Sequence, residues 1–519
     1  MWISPVMVMV ILYLSFFNSF GVIAYNLAVA ILWMVSPYFS YCISMKISEN
    51  KNTLNDEEKN YLRKIARRIY AYYEDFVNEE NNYLAPDNYQ EKPLKGVAHR
   101  TSPTNIGMGL ISNVTAYDLG YITMWEFIDK TELTLNSMKE LERINGHFLN
   151  WYDTKSRKPL WPRYVSTVDS GNLLSDLWVL KQAMEELKYN EVIRAKETAA
   201  LNDVYKIMEE ESDSIKIKFF SQHNIGEYLS ILKEALYKLQ DFKEEQKLNI
   251  LQKLSEEKNK LNNLKENINI PNESDDFKKS RNLLYELSNE INDLEPTDVK
   301  LNDLKNSNKD KAGIENKEKI YNLKLDNEEL NYWLDKIIDE IKIKIKYYNN
   351  VFEGLEKLYS KEFFEGVPNL IELIHRCQEY RKKCGDNFKE NLGQKIAMFK
   401  SYEDKIDKII EDIDNITKEM NFNFLYNNTR ELFSIGYNVE ENSLGNSYYD
   451  LRASESRIAS FVAIAKNDVP TAHYFKLSRA MTNAFHTHSL VSWSGTMFEY
   501  FMPSLIMRNY PKTLFGKTY

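Results

Sequence analysis

Charge is missing from the N-terminal end of the chain. The first 45 of its 519 residues include no Asp, Glu, Lys, Arg or His. One helical membrane span takes about 20 apolar residues, so this stretch is long enough for two. Turn-forming residues between Asn18 and Gly21 divide it. We therefore predict a transmembrane segment over residues 1–45, with two helices. A single span and a cleaved signal peptide are the alternatives, although a signal peptide has a positive flank that is lacking here.

Cysteine is scarce as well, and negative charges outnumber positive ones. Three cysteines, Cys42, Cys377 and Cys384, exclude a disulfide scaffold. The net charge of -9 argues against a general nucleic-acid-binding protein, which needs a basic surface, so we expect no nucleic-acid partner. His375 would point away from the helix face that Cys377 and Cys384 can share. We therefore expect no metal site, and the sequence indicates no cofactor.

Positive charge is concentrated just after the apolar segment. Six basic residues follow it within about 25 positions: Lys46, Lys51, Arg63, Lys64, Arg67 and Arg68. Because the cytoplasmic flank of a membrane span is enriched in Lys and Arg, the rest of the chain is expected in the cytoplasm.

Alternating strand patterns are absent, and helical spacing of apolar residues recurs along the chain. The sequence therefore predicts an all-α protein. Loops rich in Asn, Asp, Tyr and Trp interrupt the helices before residue 184 and again after residue 421, whereas the stretch between them is dominated by Lys, Glu, Asn, Leu and Ile. We predict four parts: a transmembrane segment (1–45), a first loop-rich domain part (46–184), a polar helical bundle or coiled-coil-like segment (185–420), and a second loop-rich part (421–519).

The two loop-rich parts carry residue types that suit a sugar. Carboxylates and amides hydrogen-bond hydroxyl groups, and aromatic rings pack on the flat faces of pyranoses. Glycoside chemistry also needs two carboxyl groups flanking one bond, one of which stays protonated. Glu499 lies between Phe498 and Tyr500 and close to Trp493, neighbours that favour a protonated carboxyl once they are buried.

Four long strings in these loops resemble a known family. They run from Pro86 to Glu91, Val97 to Asn105, Tyr164 to Asn172 and Trp493 to Pro503. In this order they resemble the glycoamylase-like region of cyclic β-1,2-glucan synthases, which are very large proteins of the bacterial inner membrane. The resemblance covers about residues 83–182 and 421–515, and the polar middle has no counterpart in it.

The resemblance implies a partial (α/α)6-type helical barrel that acts on β-1,2-glucan. The family closes a linear glucan into a ring by transglycosylation, and related domains hydrolyse it. Glu499 inherits the role of general acid. Asp169, Glu441, Asp450 and Glu455 fall in matching strings and are expected to line the sugar cleft. Tyr449 and Trp493 are candidate sugar platforms.

Each of these residues also has a structural interpretation. Thr496 and Glu499 form a capping box pattern, and Asp169 can cap a helix that begins near Gly171. Glu455 can pair with Arg452 three positions earlier. Glu441 adjoins Glu440, and the sequence favours it only slightly. Two residues, Tyr449 and Trp493, can equally pack in a core.

Family members continue past the string that ends this chain, and the second catalytic carboxylate is expected there. We therefore expect an internal fragment with an incomplete barrel, and leave open whether the chain acts alone. The expected function is processing of β-1,2-glucan at the bacterial inner membrane. The expected partners are a β-glucan, the lipid bilayer and the missing portions of the same synthase. The alternative is a non-catalytic, membrane-tethered glucan-binding or scaffold segment.

Overall fold

A computed structural model of the protein describes residues 3–15, 20–44, 54–194, 196–216, 328–352, 369–484 and 487–518. The described chain is 62% helix and 13% strand, so the prediction of a mostly helical protein is confirmed. It divides into two compact units, Met1–Lys59 and Asn60–Tyr519.

The first unit contains two apolar helices, α1 (Ile3–Ser15) and α2 (Phe20–Ser44). Within α2, the segment Gly21–Phe39 is long and apolar enough to cross a membrane. It is the only such helix in the part of the chain that the structure describes, because α1 has 13 residues. Length and composition support one of the two predicted spans, and membrane insertion stays a prediction.

Helix α3 (Asp56–Phe76) follows, and the helices of the second unit surround a common core. They are α4 (Pro103–Leu119), α5 (Met124–Lys139), α6 (Thr167–Leu187), α7 (Lys196–Lys216), α8 (Glu328–Phe352), α9 (Leu370–Lys383), α10 (Asp386–Glu419), α11 (Arg457–Ala465), α12 (Ala472–Lys476), α13 (Met497–Ile506) and α14 (Leu514–Thr518). Two short 3-10 helices cover Glu79–Asn81 and Phe422–Leu425.

Side-chain caps set where the central helices begin. Ser102 caps α4, whose first residue is Pro103, a position at which proline costs no hydrogen bond. Thr123 and Glu126 form a complete capping box at the start of α5. Ser166 caps α6 by accepting a hydrogen bond from the backbone of Asp169. The helix therefore begins four residues before Gly171, where the sequence pattern suggested a start.

The polar middle contributes to this core. Tyr347 of α8, Phe399 and Ile413 of α10 and Cys377 of α9 are all buried in the same hydrophobic cluster as Leu177 of α6. Helix α10 packs against α5 and α6, and α8 packs against α7. These helices are amphipathic, so each can place its apolar face in the core and its polar face in solvent. The domain boundaries near residues 185 and 420 stay a prediction.

Short strands are present where the sequence predicts none. They are β1 (Tyr89–Gln90), β2 (Gly96–Val97), β3 (Arg100–Thr101), β4 (Arg143–Ile144), β5 (His147–Phe148), β6 (Asn150–Asp153), β7 (Pro159–Ser166), β8 (Tyr426–Asn427), β9 (Leu432–Ser434), β10 (Gly436–Asn438), β11 (Ser443–Leu444), β12 (Tyr448–Tyr449), β13 (Met481–Ala484) and β14 (Thr487–Leu490). Most have two to four residues, too few for a visible alternation. The longest, β7, contains Pro159 and Pro162, which hide it because proline is depleted in strands.

A five-stranded sheet joins the two loop-rich parts of the chain. Its strand order is β11-β10-β7-β6-β3, and β10 pairs antiparallel with β7, with Tyr437 opposite Val165. A second contact lies beside it, where Gly171 of α6 packs on Ala459 of α11. A Cβ atom on Gly171 would lie 2.5 Å from the Cα of Ala459, so only glycine allows this approach. The first turn of α6 and the segment before α11 are thereby held side by side.

Candidate active site

Three carboxyl groups from distant parts of the sequence act on one another at this junction. Asp169 lies in the first turn of α6, Glu455 precedes α11 by two residues, and Glu499 lies in the first turn of α13. Burial raises the pKa of Glu455 most, and the negative charges of Asp169 and Glu499 raise it further. The structure therefore brings together three of the residues that the sequence selects.

Glu499 is held as a carboxylate by three hydrogen bonds. Its Oε1 accepts from the backbone N–H of Trp493 at 2.9 Å, and its Oε2 accepts from the backbone N–H and the Oγ of Ser494 at 2.7 and 2.6 Å. Burial by itself would raise the pKa of Glu499, but these hydrogen bonds outweigh it and hold the pKa below its ordinary value. The donors lie in the loop from Ser492 to Gly495, in which the sequence selects Trp493 as a sugar platform and not as a backbone donor.

These bonds bear on both sequence interpretations of Glu499. Its backbone N–H donates to the Oγ of Thr496 at 3.3 Å, so Thr496 does cap α13. The carboxylate turns to Trp493 and Ser494, so the described contacts form only one half of a capping box. A surrounding that favours the ionised form does not suit the protonated acid that the resemblance implies. A catalytic role for Glu499 stays a prediction.

Glu455 has the opposite electrostatic character. Burial and the charges of Asp169 and Glu499 raise its pKa to about 7. Its buried Oε2 has no hydrogen-bond partner among the described residues. Arg452, the expected ion-pair partner, instead donates to the hydroxyl of Tyr474 at 2.8 Å and lies over the ring of Phe515. Glu455 is therefore the carboxyl of this cluster that can hold a proton near neutral pH.

Tyr449 of β12 lies within the field of the same charges. Burial raises its pKa well above the ordinary value, and the carboxylates of Glu455, Asp169 and Glu499 raise it further. Its hydroxyl therefore stays protonated and can donate a hydrogen bond. Asp450 is the next residue, and its Oδ1 is buried without a partner in the described structure. Tyr449 therefore lies within the field of the cluster. Contacts of Tyr449 and Asp450 with a sugar stay predictions.

Two of the selected residues expose their side chains to solvent. Glu441 is exposed in the turn between β10 and β11, and its carboxylate accepts from the Oγ of Ser443 at 3.5 Å. Its neighbour Glu440 binds Arg163 at 2.8 Å. The ring of Trp493 is exposed, with 56% of the residue accessible to solvent, and its backbone N–H is what contacts Glu499.

A pocket of about 340 Å³ opens beside Asp169, and most of its walls were not selected from the sequence. It is lined by Asn150, Trp151, Leu160, Trp161, Pro162, Tyr164, Ser166 and Asp169. Burial and then the charge of Asp169 raise the pKa of Tyr164, which ties the pocket to the carboxyl cluster. The sequence shows Trp151 and Trp161 within a loop-rich segment. It does not show that they lie on adjacent strands, β6 and β7, because that follows only from the pairing of the sheet.

No family model matches the chain. Among curated proteins, the chain is 30% identical over 519 aligned positions to cyclic beta-(1,2)-glucan synthase NdvB of Rhizobium meliloti. The alignment covers 98% of this chain and 15% of that relative. Among solved structures, a glucoamylase-like protein of Bacteroides fragilis aligns with 31% of this chain and 37% of its own, at 17% identity and a TM-score of 0.23.

The sequence comparison bears directly on the resemblance of the four loop strings. It extends the similarity from these strings to the polar middle and the N-terminal helices, because it covers nearly the whole chain. The chain is thus similar, over 98% of its length, to one segment of a cyclic β-(1,2)-glucan synthase, and the predicted resemblance is confirmed.

Proposed function

We propose that this chain is a membrane-anchored, carbohydrate-active region that acts on β-1,2-glucan as part of a cyclic β-1,2-glucan synthase. The reaction is transfer or hydrolysis of a glycosidic bond. One observation carries the proposal: Glu455, with a pKa of about 7, lies within the field of Asp169 and the ionised Glu499. Two carboxyl groups with separated pKa values are what glycoside chemistry requires.

In this proposal Glu455 is the proton donor. As the glycosidic C–O bond breaks, the Glu455 carboxyl gives its proton to the departing oxygen and becomes a carboxylate. The Glu499 carboxylate stays negative throughout and stabilises positive charge on the sugar, and Asp169 adds to this field. The sugar then bonds to the oxygen of water or of a hydroxyl of a glucan chain, and the Glu455 carboxylate takes up the proton that this oxygen loses, which restores the acid. The general acid in this proposal is thus Glu455, whereas the resemblance implies Glu499.

The surrounding architecture belongs to the same proposal. Helices α4, α5, α6 and α10 supply part of an (α/α)6-type barrel, and α2 anchors the chain in the bacterial inner membrane with the second unit in the cytoplasm. The bilayer and the remaining portions of a larger synthase are its partners. Labelling of Cys42 and Cys384 with a membrane-impermeant thiol reagent, in intact spheroplasts and after lysis, tests the orientation. Labelling of Cys384 before lysis would contradict it.

Product analysis tests the reaction. The full chain in detergent is incubated with linear β-1,2-glucan, and the products are sized by mass spectrometry. We expect new chain lengths or rings with the wild type, and losses of at least about 100-fold in rate for Glu455→Gln and Glu499→Gln, in line with acid–base contributions. Glu411→Gln, which changes an exposed carboxylate of α10 that the sequence does not select, is the matched control and keeps its rate.

The same assay separates the alternative function. A wild-type chain that binds the glucan, as measured by calorimetry, but leaves its length distribution unchanged would favour a glucan-binding scaffold. Absence of both binding and turnover would reject the assignment to β-1,2-glucan.

A further inference from the structure

An exposed tryptophan stands on the sheet that borders the carboxyl cluster. Trp161 of β7 has 72% of its surface accessible to solvent, which is unusual for so large an apolar side chain. It lines the pocket of about 340 Å³ together with Trp151, Tyr164 and Asp169. The pocket volume falls within the range of small-ligand sites, about 300–1,000 Å³.

The ring of Trp161 is held in place from one side. The guanidinium of Arg163 lies over it, 5.2 Å from the ring centroid. Arg163 is itself fixed by ion pairs of 2.8 Å to Glu142 and to Glu440. Because the arginine covers one face and most of the residue is accessible, the other face is open.

The second tryptophan repeats this arrangement. Arg100 lies over the ring of Trp151, 5.0 Å from the centroid, and is fixed by an ion pair of 2.8 Å to Asp87. Two aromatic rings, each with a tethered arginine, therefore flank one concave surface. Rings fixed before a ligand arrives lose little freedom on binding.

Polar groups on the same wall suit hydroxyls. Ser166 and Asp169 add a hydroxyl and a carboxylate to the lining of the pocket. Flat apolar faces with a few convergent polar groups match a pyranose, which has C–H faces and an equatorial rim of hydroxyls. A purely apolar ligand would leave the carboxylate of Asp169 without a partner.

We propose that the Trp161–Trp151 pocket is a glucan-binding subsite that holds a short stretch of the chain beside the bond to be broken. This inference rests on the proposed function for its ligand. It assigns Trp161 as the principal stacking platform, with the open face of its indole against a glucosyl ring. The subsite fixes the position of the chain and takes no part in proton transfer, so it sets binding and the dependence of binding on chain length.

Binding measurements on a cleavage-deficient background test the subsite. Linear β-1,2-glucans of increasing length are titrated into the full-length Glu455→Gln variant by calorimetry, with and without Trp161→Ala. We expect Trp161→Ala to weaken binding of long chains about tenfold and Trp161→Phe to restore most of it. Tyr189→Ala removes an aromatic that is 71% exposed and outside the pocket, and it is the matched control. Far-UV circular dichroism checks that each variant is folded.

Kinetics and fluorescence supply independent readouts. In the catalytically competent protein, Trp161→Ala should raise KM and leave kcat within about twofold. Binding should also shift the tryptophan emission of the wild type, and Trp161→Phe should lose this shift. Equal affinity, KM and emission shift in wild type and Trp161 variants would overturn the subsite while leaving the proposed function standing. A wild type that neither binds nor converts any β-1,2-glucan would overturn both.

Discussion

Gly171 packs against Ala459 so closely that a Cβ atom on the glycine would lie 2.5 Å from the alanine Cα. Asp169 lies two residues before Gly171, and Glu455 lies four residues before Ala459. The close contact therefore brings these two carboxyl groups within electrostatic reach of each other. A contact between two small residues in the core thus sets the relation between two carboxyl groups in the site.

Gly171→Ala should therefore destabilise the protein. The added methyl meets the backbone of α11, which has to shift, and overpacking of this kind costs about 1–3 kcal/mol. The free energy of unfolding from urea titration measures the loss. Gly393→Ala in α10 is the control, because its Cβ would meet only the end of the flexible Arg381 side chain at 3.2 Å. Alanine there should be neutral or stabilising, and equal effects at both positions would contradict the packing argument.

The raised pKa of Glu455 makes stability depend on pH. Its pKa is about 7 in the folded protein and 4.5 as the ordinary value, so the folded state holds the proton more tightly. Its contribution to stability is fully present below about pH 4.5 and is lost as the pH rises to about 7. The loss has an upper bound of about 3.4 kcal/mol.

Glu455→Gln removes this titration. Urea unfolding at a series of pH values should show that the variant gains stability relative to the wild type between pH 5 and pH 8. Glu441→Gln should run parallel to the wild type over the same interval. A constant difference between wild type and Glu455→Gln would mean that the folded pKa of Glu455 is unshifted.

Ser494→Ala should raise the pKa of Glu499. The variant loses the 2.6 Å bond from the serine Oγ, whereas the backbone donors of Trp493 and Ser494 remain. A hydrogen bond to a charged group favours the ionised form by about 1.5–3 kcal/mol, so its loss should move the pKa of Glu499 upward. Stability should fall at neutral pH, and the deficit should shrink as the pH falls and Glu499 is protonated.

A second serine of α13 provides the control for that experiment. Ser504 is exposed and donates to the carbonyl of Phe501, away from Glu499. Ser504→Ala should leave the pH dependence of unfolding unchanged. If Ser494→Ala and Ser504→Ala titrate alike, the Ser494 hydroxyl does not hold Glu499 in its ionised form.

The polar middle should be required for stability through a buried charge. Glu340 of α8 is 5% exposed and lies 3.9 Å from the fully buried Arg67 of α3 and 3.2 Å from Lys344. Glu340→Gln leaves these buried cations with fewer counter-charges and should cost about 3 kcal/mol. Glu329→Gln on the same helix loses an exposed pair with Arg68 and should cost less than about 1 kcal/mol. Thermal unfolding that ranks the two equally would indicate that α8 is not integral to the core.

The sequence predicts the helices better than it predicts the site. The helical spacing of apolar residues predicts a mostly helical protein, and the structure has 62% helix. The prolines of β7 argue against a strand, and its partner β10 lies about 270 positions away. No local sequence pattern therefore predicts the sheet. The pocket walls Trp151 and Trp161 acquire meaning only from that pairing.

The carboxyl groups show the same limit in electrostatic terms. Asp169, Glu455 and Glu499 could be selected from sequence because their motifs resemble a family. The pKa of each depends on neighbours brought by folding: three donors around Glu499 and two negative charges around Glu455. Flanking aromatics suggested a protonated Glu499, whereas the loop from Ser492 to Gly495 supplies donors that reverse this.

The pH dependence of glucan conversion tests the central claim most directly. The rate at which the full chain changes the length of linear β-1,2-glucan is measured from pH 5 to pH 9 for wild type and Glu455→Gln. The account predicts a rate that falls tenfold per pH unit above about pH 7, where the Glu455 proton is lost, and no measurable conversion by the variant. A variant that converts the glucan at the wild-type rate, with the same pH profile, would contradict it.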